Sequence, residues 1–260
     1  MNNKILEIWY QGRNFENIPS YEKPRLLILW GPPASGKSSS EVKSIIHNFG
    51  IPMKDYIIFN VDDPVESHAN FKRESIKSVN TFLASKQSEL NQLNTLLNNI
   101  NNDNASHFSK PYLNIRKQLN LNKKMDSLIK NALDGKKNII LETTGMRGLG
   151  WLLENNSFDK KSYIITIIFP LIGVEDGWRR YKTRAIKSYK AGNHFRFGLT
   201  KSRYILNYIQ SYKTFINNHK NLERIVISPD GERIVISPDG SNANEAIVRQ
   251  LLNKATSKTF

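Results

Sequence analysis

The chain has 260 residues and no cysteine, and its 38 Lys and Arg against 23 Asp and Glu give a formal net charge of +15. The missing cysteines exclude a disulfide scaffold, a Cys-ligated metal centre and a thiol nucleophile. The longest nearly uninterrupted apolar run, 163–174, is shorter than the roughly 20 residues of a membrane helix. The first residues carry no apolar core of a signal peptide. We therefore expect a cytoplasmic protein without membrane association.

Short apolar runs alternate with helical stretches along the chain, after an N-terminal extension over 1–24. This pattern predicts an α/β fold in three layers, a mainly parallel sheet flanked by helices. The length suits one domain over 1–260, at a prior of about 150 residues per domain. The candidate strands, continuously apolar as strands buried on both faces are, are 26–30, 56–61, 138–142 and 163–169.

The sharpest motif is GPPASGKS, which follows the first strand and leads into a helical pattern from Lys37 to about His47. Its glycines allow backbone amides to turn toward an anion at a helix N-terminus. Lys37 would reach the β- and γ-phosphates and Ser38 would offer its hydroxyl to Mg²⁺. We therefore predict ATP and Mg²⁺ as cofactors. The predicted nucleotide-binding residues are Gly31, Pro32, Pro33, Ala34, Ser35, Gly36, Lys37, Ser38 and Ser39.

Two acids, Asp62 and Asp63, follow the second strand. A carboxylate here can accept the proton of an attacking hydroxyl or hold Mg²⁺ through water, and we assign these roles to Asp62. Asp63 precedes Pro64 and suits a helix start, with an auxiliary substrate role. His68 is either a structural residue or a substrate contact.

An asparagine-rich insertion, 84–110, separates the second and third strands. Leucines from Leu90 to Leu97 and Ile100 give it a helical apolar stripe, whereas the tail NNDNAS is typical of a loop. We interpret the insertion as a helix and loop without a catalytic residue.

The third strand ends at Glu142, followed by hydroxyl and cationic side chains. An acid at this position can bind a substrate hydroxyl or a Mg²⁺-bound water, and the alternative is an exposed loop acid. The predicted substrate-binding residues of this segment are Glu142, Thr143, Thr144 and Arg147.

A basic helical region spans 175–220, and its part 179–220 holds eleven Lys and Arg, no acid and eight Tyr and Phe. Three interpretations stay open: a lid over phosphates, a solvated face above an aromatic core, or a nucleic-acid surface with cations for phosphates and rings for bases. The helical spacing of Tyr208, Tyr212 and Phe215 favours a core position for most rings.

The nonapeptide ERIVISPDG occurs twice in tandem, over 223–240. One duplication is too short for a solenoid. It predicts a C-terminal β-hairpin with the turn at Pro229-Asp230-Gly231. A final helix is expected over 242–254.

At these motifs the chain resembles the zeta toxin family of P-loop kinases, from about residue 25 to 240. In the family's second motif an acid is followed, after five residues, by His-Pro-x-aromatic; Asp62 and His68 to Phe71 have this spacing, with Ala69 in place of proline. The segments that carry the resemblance are GPPASGKS, VDDPVESHANF, NIILETTGMR, WRRY and HFRFG.

The resemblance implies an ATP-dependent kinase that phosphorylates UDP-N-acetylglucosamine or a similar nucleotide sugar. It implies Asp62 as general base, Lys37 and Ser38 as ligands of the triphosphate and Mg²⁺, and Glu142 as a substrate contact. Two further catalytic residues, Arg180 in WRRY and Arg196 in HFRFG, would neutralise charge on the transferred phosphoryl group.

Two other functions remain open. One is a polynucleotide kinase that phosphorylates a nucleic-acid end, as the charge and the 179–220 run suggest. The other is a non-catalytic nucleotide-binding regulatory protein. An inhibitory partner protein is a further candidate interaction.

Overall fold

The computed structural model describes residues 17–146, 148–153, 162–238 and 242–256. Of the predicted N-terminal extension, 1–16 lie outside this part, and Ser20 in the remainder pairs with Lys137 in an isolated bridge. The strands of the described chain are β1 (Arg25–Trp30), β2 (Tyr56–Phe59), β3 (Asn138–Thr143), β4 (Ile164–Pro170), β5 (Glu223–Ile227) and β6 (Arg233–Ile236).

Helices connect these strands, together with two 3₁₀ turns at Met53–Asp55 and Leu90–Gln92. The helices are α1 (Ser40–His47), α2 (Asp63–Glu66), α3 (Ala69–Ser85), α4 (Leu93–Leu96), α5 (Asn102–Gln118), α6 (Leu121–Asp134), α7 (Gly150–Leu153), α8 (Val174–Lys190), α9 (Lys201–Asn217) and α10 (Asn242–Thr256). Within the described ranges, no helix is long and apolar enough to cross a membrane.

The six strands form one sheet in the order β2-β3-β1-β4-β5-β6, and β6 alone among them runs antiparallel to its neighbour. This confirms the predicted mainly parallel α/β sheet. In the register, Leu29 of β1 is level with Glu142 of β3 and Ile168 of β4. The carboxyl ends of these three strands therefore meet at one edge, where ligands bind in such sheets.

Apolar side chains cover both faces of the sheet, as the continuous apolarity of the strands predicts. On one face, Val42, Ile45 and Ile46 of α1 pack on the central strands. The opposite face carries the larger core, which includes α3, α5, α6, α8 and α9. The sheet thus lies between two helical layers.

The asparagine-rich tail predicted to be a loop is the start of a helix, and this prediction was wrong. The Asn101 side chain accepts a hydrogen bond from the Asn104 amide at 2.9 Å and so caps α5, which begins at Asn102. Asparagine favours such cap positions because its side-chain oxygen replaces a missing backbone acceptor. The predicted stripe is confirmed at Leu93 and Leu97, which are fully buried.

The tandem repeat forms the predicted hairpin from β5 and β6. Ser228 donates its amide to Glu232 at 2.8 Å across the turn, and Gly231 adopts a φ of +91°. Identical sequences take different environments here: Arg224 of the first copy is buried, whereas Arg233 of the second is exposed on the edge strand. Of the second copy, 239–240 lie outside the described residues.

Candidate active site

The GPPASGKS segment forms a turn between β1 and α1 in which several residues have positive φ: Gly31 at +145°, Ala34 at +63° and Gly36 at +98°. Residues of this type point successive amides into one concavity, which binds anions. Space at Gly31 is limited as well, because a Cβ at this position would lie 2.6 Å from Ser35 Oγ and 3.2 Å from a ring carbon of Phe169. The helix after the turn begins at Ser40, not Lys37, because Ser39 caps it by accepting from the Val42 amide.

The loop fits a bound triphosphate. Ser35 Oγ is buried without a hydrogen-bond partner among the described residues, and an unpaired buried hydroxyl carries a cost that a ligand can relieve. Ser38 lies in the turn two residues before α1, is exposed and lines the cavity, where its hydroxyl would hold Mg²⁺ beside the phosphates.

Lys37 is folded over the loop and donates from Nζ to the carbonyl oxygens of Gly31, at 2.8 Å, and Pro32, at 3.1 Å. Burial lowers the pKa of Lys37 to about 8, although the carboxylates of Glu142 and Asp62 act in the opposite direction. The ammonium group is therefore already positioned above the loop, and it is easier to deprotonate than an exposed lysine.

Asp62 lies after β2 and faces the same cavity as the phosphate loop. It stands before α2 without capping it. Its Oδ2 lies 2.7 Å from Arg196 NH1, and its Oδ1 accepts a hydrogen bond of 2.7 Å from the Tyr112 hydroxyl. Asn60 Oδ1 accepts from the Asp62 amide at 3.0 Å. The carboxylate is thus held on both oxygens in the cavity that the glycine-rich loop also lines.

Three cationic or titratable side chains that line the cavity converge on Glu66. Glu66 Oε1 lies 2.7 Å from Arg196 and 3.2 Å from Arg184, and Oε2 lies 3.5 Å from His194 Nε2. Burial lowers the pKa of His194, with the two arginines acting in the same direction and Glu66 against it. Burial alone would lower the pKa of the Arg196 guanidinium. The carboxylates of Asp62 and Glu66 outweigh this effect, so the pKa of Arg196 is raised.

The segment 194–198 presents these groups through strict alternation. Phe195 and Phe197 are buried among core aromatic rings, whereas His194 and Arg196 line the cavity. An extended chain places successive side chains on opposite sides. The Phe195 amide donates to Ser75 Oγ at 3.0 Å, which fixes the segment against α3.

Asp63 and His68 take largely local roles. Asp63 Oδ1 accepts from Asn60 Nδ2 at 3.0 Å, and burial together with Glu142 and Glu66 raises the pKa of Asp63 to about 6. His68 Nδ1 accepts from the Asn70 amide at 3.2 Å and caps α3. Neither residue is among those that line the cavity.

At the end of β3, Glu142 and Thr144 line the cavity, whereas Thr143 Oγ1 accepts from the Gly145 amide at 3.1 Å. Burial raises the pKa of Glu142, and Lys37 acts in the opposite direction. Arg147 lies outside the described residues. Glu142 and Thr144 therefore face the same space as Asp62.

Arg180 and Arg184 lie one turn apart on α8. Arg180 is exposed and approaches the phosphate loop, with NH1 4.0 Å from the position of a Cβ on Gly36. Arg184 lines the cavity and binds Glu66. Arg180 thus lies beside the loop, while Arg184, which sequence reasoning missed, occupies the cavity wall.

The rings of the 179–220 run are not available for base stacking. Seven of them are buried and Tyr189 is partly buried. This excludes the ring-stacking part of the nucleic-acid interpretation, which needs exposed rings, and it confirms the core position of most rings. The buried rings are Tyr181, Phe195, Phe197, Tyr204, Tyr208, Tyr212 and Phe215.

Sequence reasoning missed Tyr112, Glu66, Arg184 and His194. The alternation in 194–198 could have indicated His194, and the one-turn spacing from Arg180 could have indicated Arg184. Tyr112 and Glu66 left no local signal, because they meet their partners 50 and 130 residues away.

The glycine-rich loop lies at the carboxyl edge of a mainly parallel sheet that helices cover on both faces, which is the predicted three-layer α/β fold of P-loop proteins. The chain is similar to a solved structure from the molecular and structural characterization of the PezAT chromosomal toxin–antitoxin system of the human pathogen Streptococcus pneumoniae. The TM-score is 0.53 at 13% sequence identity, with 98% of this chain and 96% of that chain covered. No family model and no curated protein matches the sequence.

Proposed function

We propose that the protein is an ATP-dependent phosphotransferase of zeta-toxin type that phosphorylates a hydroxyl of a nucleotide sugar, such as UDP-N-acetylglucosamine, or of a similar small substrate. The observation that carries the proposal is a single cavity lined by the phosphate loop, Asp62, Glu142, Arg184 and Arg196. This lining brings the glycine-rich loop, which suits phosphates, and a carboxylate that can accept a proton to one cavity. The proposed setting is the cytoplasm, where ATP is supplied.

In the proposed reaction the acceptor hydroxyl gives its proton to the Asp62 carboxylate. The resulting oxygen forms a bond to the γ-phosphorus, and the bond between this phosphorus and the β–γ bridging oxygen breaks, releasing ADP. Ser38 and, through water, Asp62 would hold Mg²⁺, which would supply positive charge to the phosphates when bound.

Lys37 and the inward-facing amides of the loop hold the triphosphate. Arg180 and Arg196 offer charge to the transferred phosphoryl group. Arg196 now binds Asp62 and Glu66, so a bound γ-phosphate competes with these carboxylates for it. This competition would release Asp62 for proton transfer.

The acceptor would bind against Glu142 and Thr144, since both face the cavity. Asp63, Thr143 and Arg147 remain proposed contributors to this subsite, and Asp63 would act through its neighbour Asn60. For His68 the cap on α3 supports a structural role.

Phosphorylation of nucleic-acid ends is the second candidate. The exposed cations of 179–220, Arg179, Arg203 and Lys213 among them, favour it, whereas the burial of the rings does not. We further propose an inhibitory protein partner, because the similar solved structure is described as a toxin–antitoxin system.

The proposal is tested by transfer of labelled γ-phosphate from ATP to UDP-N-acetylglucosamine, with 5′-hydroxyl RNA and DNA oligonucleotides in parallel and Lys37→Ala as control. Label on the nucleotide sugar supports the proposal. Label on an oligonucleotide, with a steep dependence on salt, identifies the second candidate. ATP binding without transfer to any acceptor would leave a non-catalytic regulatory protein.

A further inference from the structure

The helix that begins in the asparagine-rich insertion reaches the proposed general base. Tyr112, on α5, donates its hydroxyl to Asp62 Oδ1 at 2.7 Å. The contact joins residues 50 positions apart. The distance lies within the range of about 2.5–2.7 Å that is typical of a hydroxyl bound to a carboxylate.

Several contacts fix the Tyr112 ring and its hydroxyl. The ring packs edge-on against Phe71 at 6.1 Å, and the Arg196 guanidinium lies over it at 5.1 Å. Arg116, one turn along α5, donates from NH1 to the Tyr112 oxygen at 3.3 Å and binds Asn122 at the start of α6. Burial, and then the Asp62 carboxylate, raise the pKa of Tyr112, so its hydroxyl keeps the proton that it donates.

The same helix supports the segment that carries Arg196. Phe108 of α5 packs edge-on against Phe195 at 5.1 Å, and Gly198 lies so close to α5 that a Cβ on it would be 2.6 Å from Ser109 Cβ. One helix therefore sets both partners of the Asp62 carboxylate, one directly and one through packing.

We infer that Tyr112 is a positioning residue for Asp62. The helix α5, which begins in the insertion, therefore contributes to the phosphotransfer site. The inference rests on the proposed function. Tyr112 holds one carboxylate oxygen while Arg196 leaves for the phosphate, so the base keeps its direction toward the acceptor during transfer. A misdirected base slows the reaction without weakening nucleotide binding.

The test compares Tyr112→Phe with Tyr163→Phe in the full chain. Tyr163 is a matched control, because its hydroxyl also donates to protein carbonyls, including Lys137 at 3.1 Å, at the opposite end of the sheet. With UDP-N-acetylglucosamine or whichever acceptor takes label, Tyr112→Phe should lower kcat about tenfold or more, with the KM for ATP within about twofold. Unchanged kcat in Tyr112→Phe, or an equal loss in Tyr163→Phe, would overturn the inference.

A second readout does not depend on the reaction. Tyr112→Phe should lower the melting temperature more in the wild-type background than in an Asp62→Ala background, where the hydroxyl has lost its acceptor and only the hydrogen bond from Arg116 remains to be removed. Equal losses in both backgrounds would overturn the contact itself. Absence of transfer above the Lys37→Ala level refutes the proposed function instead, and the melting comparison then decides the inference alone.

Discussion

The position of Lys37 predicts opposite pH dependences for nucleotide binding and for folding stability. Its pKa is about 8 because the ammonium group is buried over the phosphate loop. The protonated fraction therefore falls from about nine-tenths at pH 7 to about one-tenth at pH 9. Because the ammonium form binds the phosphates, the affinity for ATP should fall about tenfold over this interval.

Folding stability should change the other way. The unfolded chain has the ordinary lysine pKa of 10.5, so it binds more protons than the folded chain between about pH 8 and 10.5. Stability contributed by this group then rises with pH, by about 1 kcal/mol between pH 7 and 9. Lys37→Met should lack this increment.

Titration calorimetry with ATP and Mg²⁺, in buffers of different ionisation enthalpy, measures both affinity and proton uptake. At pH 8 we expect about half a proton to be taken up per nucleotide bound. Lys37→Arg is the control, because a guanidinium stays charged across this range and removes the pH dependence. Equal affinity at pH 7 and 9 without proton uptake by the wild type would refute the argument.

Three substitutions test other parts of the account. Gly145→Ala should lower the free energy of unfolding in urea by about 3–5 kcal/mol, because its φ is +70° and the new Cβ would lie 1.9 Å from Trp30. The control Gly192→Ala, with φ +67° and no atom within 4 Å, should lower it by about 1–2 kcal/mol. Equal losses in the two variants would contradict the close approach of Gly145 to Trp30. Arg184→Ala should lower the rate of phosphate transfer about tenfold or more with little change in melting temperature, because its side chain is 59% exposed while its guanidinium binds Glu66. The control Arg179→Ala, on the outer face of α8, should retain the full rate. Equal rates for the two variants would argue against a role of Arg184 in the transfer. Glu245→Ala should lower the free energy of unfolding in the same urea assay by about 3 kcal/mol, because it leaves the buried Arg224 guanidinium without its carboxylate partner. A loss below about 1 kcal/mol would show that the ion pair of Arg224 and Glu245 is not stabilising.

The elements around the phosphate loop could be predicted because their signals are local. An apolar strand, a glycine-rich turn and a helix lie within about 20 consecutive residues here, and the parallel register then places Glu142 beside the loop. Asp62 was predictable for the same reason, because it directly follows the apolar run 56–61, whose first four residues form β2.

The partners of Asp62 could not be predicted, because they depend on how distant segments pack. Tyr112 reaches the site because α5 lies against α3, and nothing in the asparagine-rich sequence indicates that contact. The start of α5 was also misjudged, since a run of asparagines resembles a loop unless one of them is recognised as a cap. Arg224 and Arg233 make the same point, since identical nonapeptides place one arginine in the core and the other at the edge.

The central claim is that Asp62 acts as general base in phosphate transfer from ATP. The most direct measurement compares label transfer by wild type and Asp62→Asn at ATP concentrations that saturate both, with Lys37→Ala as the inactive reference. We expect at least about a 100-fold loss of turnover in Asp62→Asn, with the Kd for ATP within about threefold of wild type. Transfer by Asp62→Asn at the wild-type rate would contradict this claim.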